Sequence, residues 1–160
     1  MSFKTAIQAI AATMLAAVSV GVAAQAPLPY GAPISIDNAK KAAAGAIAEA
    51  HKLKAAYVIA ITDPAGILIY LEKMDNTSNG SVAVAIGKAR SAAQFRRPTS
   101  SFQDRLKSGD TYLLSLEGAV LVGGGVPIVM DSKIVGAVGS SGGSAEQDNT
   151  VSQGGANAVK

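Results

Sequence analysis

Apolar and polar residues alternate along this chain in two distinct rhythms, and the switches between them mark its elements. From Ser35 the apolar positions Ile36, Ala39, Ala43, Ile47 and Ala50 recur at spacings of three and four, with Lys40, Lys41 and Glu49 largely elsewhere. That period predicts a helix, with Ser35 or Asp37 as its cap. The rhythm then changes. Two β-branched runs, YVIAI and ILIYLEKM, flank a turn containing Pro64 and Gly66 and read as a hairpin. A second helical stripe follows at Val82, Ala85, Ile86, Ala89 and Ala93. Pro98 breaks it, a short helix restarts near Ser101, and Gly109 ends that one.

Three further apolar runs read as strands, over residues 119–122, 126–130 and 134–139, with MDSK as a tight turn between the last two. The tail opens with Ser144 and Gln147 at capping-box spacing and reads as a last helix, weakened by Gly154 and Gly155. The predicted order is α-β-β-α-α-β-β-β-α. All strand-to-strand links are short, which favours antiparallel pairing. The expectation is an α+β domain with one five-stranded antiparallel sheet packed with helices.

Composition sharpens this picture. The 160 residues suit one domain, and the absence of cysteine removes disulfides, thiolate metal sites and a cysteine nucleophile. The first residues carry Lys4, an apolar stretch and small residues up to Ala24, the three-part pattern of a secretory leader. The organisation read from the sequence is therefore a signal peptide over 1–24, a Pro/Gly linker over 25–33 and one domain over 34–160. The mature protein is expected to be periplasmic or secreted, with no stable membrane span after cleavage. The net charge of +3 includes Lys4, and no long basic run carries interleaved aromatics, so nucleic acid is not an expected partner.

The glycine-dense run between Leu121 and Gly143 raises the question of a phosphate site, but neither phosphate-binding pattern is present in the chain. GSVAVAIGKA lacks the Walker spacing and hydroxyl, and GSSGGS lacks the G-x-G-x-x-G spacing. A helix N-terminus after such a loop favours an anion, but Glu146 and Asp148 already place negative charge there. Tight turning and close packing are the simpler use of these glycines.

Three blocks, ITDPAGILIYLEKMDN, AIGKARSAAQFRRPTS and GGGVPIVMDSKIVGAVGSSGGSAEQD, resemble the GlcG/HbpS-like family of haem-binding and haem-degrading domains. The likeness runs from about Ile34 to Val159. It implies a profilin-like α+β fold, homo-oligomers, and haem as the bound cofactor. Haem binding asks for an axial ligand, an apolar slot and cations for the propionates. His51, the only histidine, is the natural axial ligand. In at least one family member a threonine has been proposed to meet the iron, and the P-T step maps that role to Thr99, which otherwise reads as a helix cap. Tyr57, Tyr70 and Tyr112 are further phenolate candidates, while Met74 and Met130 read as packing residues. Lys88, Arg90, Arg96 and Arg97 form the densest basic cluster, suited to propionates or to a small carboxylic acid.

The resemblance thus implies an exported haem-binding protein that stores haem, senses redox state or slowly degrades haem. A small organic-acid binder or enzyme, with Asp63, Asp75, Glu146 or Asp148 as acid or base, is the alternative. A structural oligomeric accessory protein is the third. No metal-ligand spacing and no hydrolase triad motif is present, so no catalytic residue is assigned.

Overall fold

The computed structural model describes residues 26–159. The proposed leader lies outside them. Four helices and four strands follow in the order α1 (Ile36–Lys52), β1 (Val58–Thr62), β2 (Leu68–Lys73), α2 (Gly80–Phe95), α3 (Ser100–Lys107), β3 (Gly125–Met130), β4 (Lys133–Ser141) and α4 (Ala145–Asn157). A 3-10 turn over Thr111–Ser115 joins α3 to β3. The sheet is antiparallel throughout, in the order β2-β1-β4-β3.

The α+β class and the helix positions follow the sequence pattern, but the sheet has four strands where five were expected. Residues 119–122 form no strand. The Val120 amide donates to Ser91 Oγ at 3.0 Å, not to a neighbouring strand, and the Val120 side chain rests against Gly87 of α2. This apolar run is satisfied by packing on a helix, an outcome that periodicity cannot separate from strand pairing in so short a segment. The element order changes accordingly, with an irregular segment at 119–122, after the 3-10 turn, where the first of the three late strands was expected.

Both faces of the sheet are covered. α1 and α4 pack on one face, around Tyr57, Ile59, Ile61, Ile128, Val138 and Val151. α2 lies on the other, around Val58, Ala60, Ala85 and Ala89. Ser35 caps α1 through its Oγ, as expected. Ile36 departs from the predicted stripe at 47% exposed, so alanines carry the buried face of α1. Gly154 and Gly155 do not bend α4. They let it approach α1, since a Cβ on Gly155 would lie 2.8 Å from the Ala42 carbonyl oxygen. The MDSK turn has Asp131 and Ser132 both at positive φ, the two-residue hairpin geometry that matches strand twist.

The proline-rich segment before α1 is a docked strap. The Ile134 amide donates to the Pro29 carbonyl at 2.9 Å, the Gly31 amide to the Ile134 carbonyl at 2.8 Å, and the Tyr30 hydroxyl to the Gln94 carbonyl at 2.8 Å. The strap therefore ties the start of β4 to the end of α2.

Candidate functional site

Two of the three sequence blocks that carried the family resemblance, those around Lys88 and from Gly123 to Asp148, meet at one buried centre. Lys88, on α2, is 1% exposed, and Asp148, on α4, is 3% exposed. Their ammonium and carboxylate are 2.5 Å apart, although α2 and α4 cover opposite faces of the sheet. The lysine reaches its partner past Gly124, where φ is +117 and a Cβ would lie 2.8 Å from the lysine Nζ. Lys88 also donates to the Ser140 carbonyl at 3.2 Å. The other Asp148 oxygen accepts from the amides of Gly142 and Gly143 at 3.2 and 2.9 Å. Ser140 and Ser152 complete the network, with the Ser152 hydroxyl donating to the Gly124 carbonyl at 2.7 Å.

The glycine turn does hold an anion, and that anion is the protein's own Asp148. Every polar atom of the pair has a partner, as a buried ion pair requires. Lys88, expected among the propionate cations, is fully engaged here and faces no solvent. The Ser144–Gln147 capping box forms as expected and starts α4 just before Asp148.

Tyr57 lies against this centre. Its ring is fully buried, and among the described residues its hydroxyl has no hydrogen-bond partner. Burial, and then the Asp148 charge, raise its pKa above the ordinary 10.0. A raised folded-state value makes a contribution to stability that is intact below the unfolded value and lost as pH rises through the folded one. Tyr57→Phe should therefore leave stability at pH 7 within about 1 kcal/mol, since no hydrogen bond is lost. It should also reduce the fall in stability above about pH 10. Urea midpoints at pH 7 and pH 11 check this, and an unchanged alkaline fall would refute it.

The other expected ligands separate. Thr99 is fully buried and does not cap α3. Its backbone amide donates to the Gly125 carbonyl and its Oγ1 accepts from the Gly125 amide, both at 2.9 Å, so it secures the start of β3. His51 is exposed in the last turn of α1. Arg97 turns toward α3, with its guanidinium 5.6 Å from the Phe102 ring. Tyr70 bonds Glu72 at 2.9 Å. Tyr112 is exposed beside Arg105. Among the described residues no group of three or more His, Cys, Asp or Glu side chains is placed to hold a metal ion.

Arg90 and Arg96 are brought together with an apolar surface that the sequence reading did not identify. A shallow depression of about 500 Å³ is lined by Tyr30, Pro64, Ala65 and Gln94. The β1–β2 turn forms one side, fastened by the Gln94 amide donating to the Ala65 carbonyl at 2.9 Å and Arg90 Nε donating to the Gly66 carbonyl at 3.3 Å. The strap forms the other side. The Arg96 guanidinium lies 5.4 Å from the Tyr30 ring centroid and donates to the Leu28 carbonyl at 3.4 Å. Among the described residues, neither arginine has a carboxylate within ion-pair distance. The shelf is thus a mostly apolar floor, with Arg96 over its Tyr30 and Arg90 bonded to Gly66, the residue after its Ala65. Its missed component is Tyr30, an aromatic inside a segment whose prolines read as a linker.

His51 is not part of this shelf. It lies in the last turn of α1 and does not line the depression, one side of which is the turn after Thr62. A more enclosed cavity of about 390 Å³ lies between the strap and the β3–β4 turn. Its rim carries Asp131 as well as Lys133, so it offers an anion no net charge.

A family model described as haem degrading protein HbpS-like matches residues 34–157. Protein GlcG of Escherichia coli K12 is 36% identical over 93 residues, covering 58% of this chain and 69% of that protein. The structure of a Streptomyces reticuli HbpS double mutant superposes with a TM-score of 0.74 at 26% identity, over 87% of this chain and 96% of that one. A structure described as a PduOC:heme complex superposes with a TM-score of 0.71 at 25% identity, over 80% of this chain and 96% of that one.

Proposed function

We propose that this chain, which belongs to the HbpS-like family, binds haem on the shelf formed by Tyr30, Pro64, Ala65 and Gln94, with Arg90 and Arg96 meeting the propionates. The observation that carries this reading is the pairing of an apolar floor with two arginines that lack carboxylate partners. Haem has the complementary form: an apolar macrocycle with two carboxylates on one edge. The family description and the haem-bound PduOC neighbour support the same cofactor. When bound, haem supplies redox chemistry at its iron, and the chain supplies the surface and the charges.

Export belongs to the same proposal. The mature protein begins at Gln25, so the strap lies only a few residues from the new N-terminus. Haem storage or sensing outside the cytoplasm is the role in view, with assembly into homo-oligomers. A small organic acid would use the same two arginines, and competition with hemin detects it.

The test is a visible-absorbance titration of the mature form with hemin. The wild type should give a saturable, shifted Soret band at about one haem per chain. Arg90→Gln/Arg96→Gln should weaken binding by roughly 10- to 100-fold, the value of charge-assisted hydrogen bonds to a carboxylate. A spectrum matching free hemin would sink the reading. Loss of the band in His51→Ala, with the arginine variant unaffected, would move the haem to the end of α1.

A further inference from the structure

We infer that the shelf is a receptor for dianionic tetrapyrroles as a class, reading the apolar macrocycle and its carboxylates and not the metal at its centre. This deepens the preceding proposal and rests on it. Pro64, Ala65 and Gln94 present no side chain of the kinds that ligate haem iron. The one phenol, Tyr30, directs its hydroxyl away into α2, where the Ala93 and Gln94 carbonyls lie at 3.2 and 2.8 Å. His51 does not line the shelf. What the shelf does present is a mostly apolar surface, with the Arg96 guanidinium over Tyr30 and the Arg90 guanidinium on the neighbouring Gly66 carbonyl.

The placement of Arg96 supports this. Arg96 ends α2 with φ 54 and ψ 38, the left-handed conformation in which glycine is the usual residue. An L side chain held there is uphill, and strain of this kind gathers at sites where a side chain must be aimed. Here the guanidinium is aimed over the Tyr30 ring, at the rim of the shelf. Tyr30 is thus the positioning residue for Arg96. Its hydroxyl bonds to the end of α2 fix the ring, and the ring fixes the cation.

The experiment compares hemin with metal-free protoporphyrin IX and its dimethyl ester on the mature protein, the porphyrins being followed by fluorescence. Protoporphyrin IX should bind within about threefold of hemin. The ester, which lacks the charges, should bind at least about tenfold more weakly, and Arg90→Gln/Arg96→Gln should remove the difference between acid and ester. Arg96→Gly, which relieves the backbone while deleting the cation, should weaken the acid and leave the ester unchanged. Tyr30→Ala should reproduce that selectivity loss, and Tyr30→Phe should restore part of it through the ring alone. If hemin binds and protoporphyrin IX binds at least about 100-fold more weakly, metal ligation carries the affinity and the inference falls, while haem binding stands. If neither binds, the haem reading falls with it.

Discussion

Lys88→Met should destabilise the fold by about 3–5 kcal/mol, because it leaves the Asp148 carboxylate buried beside two glycine amides with no cation. Methionine matches the lysine stem, so packing past Gly124 is largely kept and charge is the main change. Asp148→Asn alone should be comparably costly, since it strands a buried ammonium. The double variant Lys88→Met/Asp148→Asn should recover most of the loss. The asparagine oxygen still accepts from the Gly142 and Gly143 amides, and no buried charge remains. A double-mutant cycle by chemical denaturation measures the coupling. Strictly additive losses would show that the two groups act independently, against the geometry that joins α2 to α4.

Gly139→Val should cost at least about 3 kcal/mol, at the upper end for an inserted side chain. A Cβ at Gly139 would lie 2.1 Å from the Ala85 carbonyl oxygen and 2.5 Å from the Ala89 amide nitrogen. Both are backbone atoms of α2, so no side-chain rotation relieves the contact. The helix must lift from the sheet, exposing Val58 and Ala60. Gly80→Ala is the control. No atom lies within 4 Å of a Cβ placed there, and because Gly80 is the first residue of α2 the change should alter stability by less than about 0.5–1 kcal/mol, the cost of a mid-helix glycine. Thermal and urea unfolding of the pair separates close packing from glycine content. Equal stability of the two variants would contradict the close docking of α2.

Helices α1, α2 and α4, the two hairpin turns and the capping box were legible because each rests on local rules of period, cap and turn chemistry. The apolar run at 119–122 was not, because its burial comes from Ser91 and Gly87 of α2, far away in sequence. The basic cluster was legible as composition and misleading as geometry. Lys88 and Arg90 are two residues apart on a helix, about 200° around its axis, so one enters the core while the other reaches the β1–β2 turn. Arg96 and Arg97 follow the helix end and diverge toward Tyr30 and Phe102. Thr99 shows a further limit. A Pro-Thr step before a helix reads as a cap, but β3 supplies the partner that it takes. Tyr30 went unread because the bonds that turn a proline-rich segment into a docked strap come from β4 and α2.

The central claim is that haem sits on the arginine shelf. The most direct measurement is a proton–nitrogen correlation spectrum of the mature protein during addition of hemin, whose paramagnetic iron broadens nearby amide signals. With haem on the shelf, the amides of Tyr30, Ala65, Gln94 and Arg96 should broaden first, while those of His51 and Lys52 stay sharp. Broadening centred on His51, with the shelf amides unchanged, would contradict it.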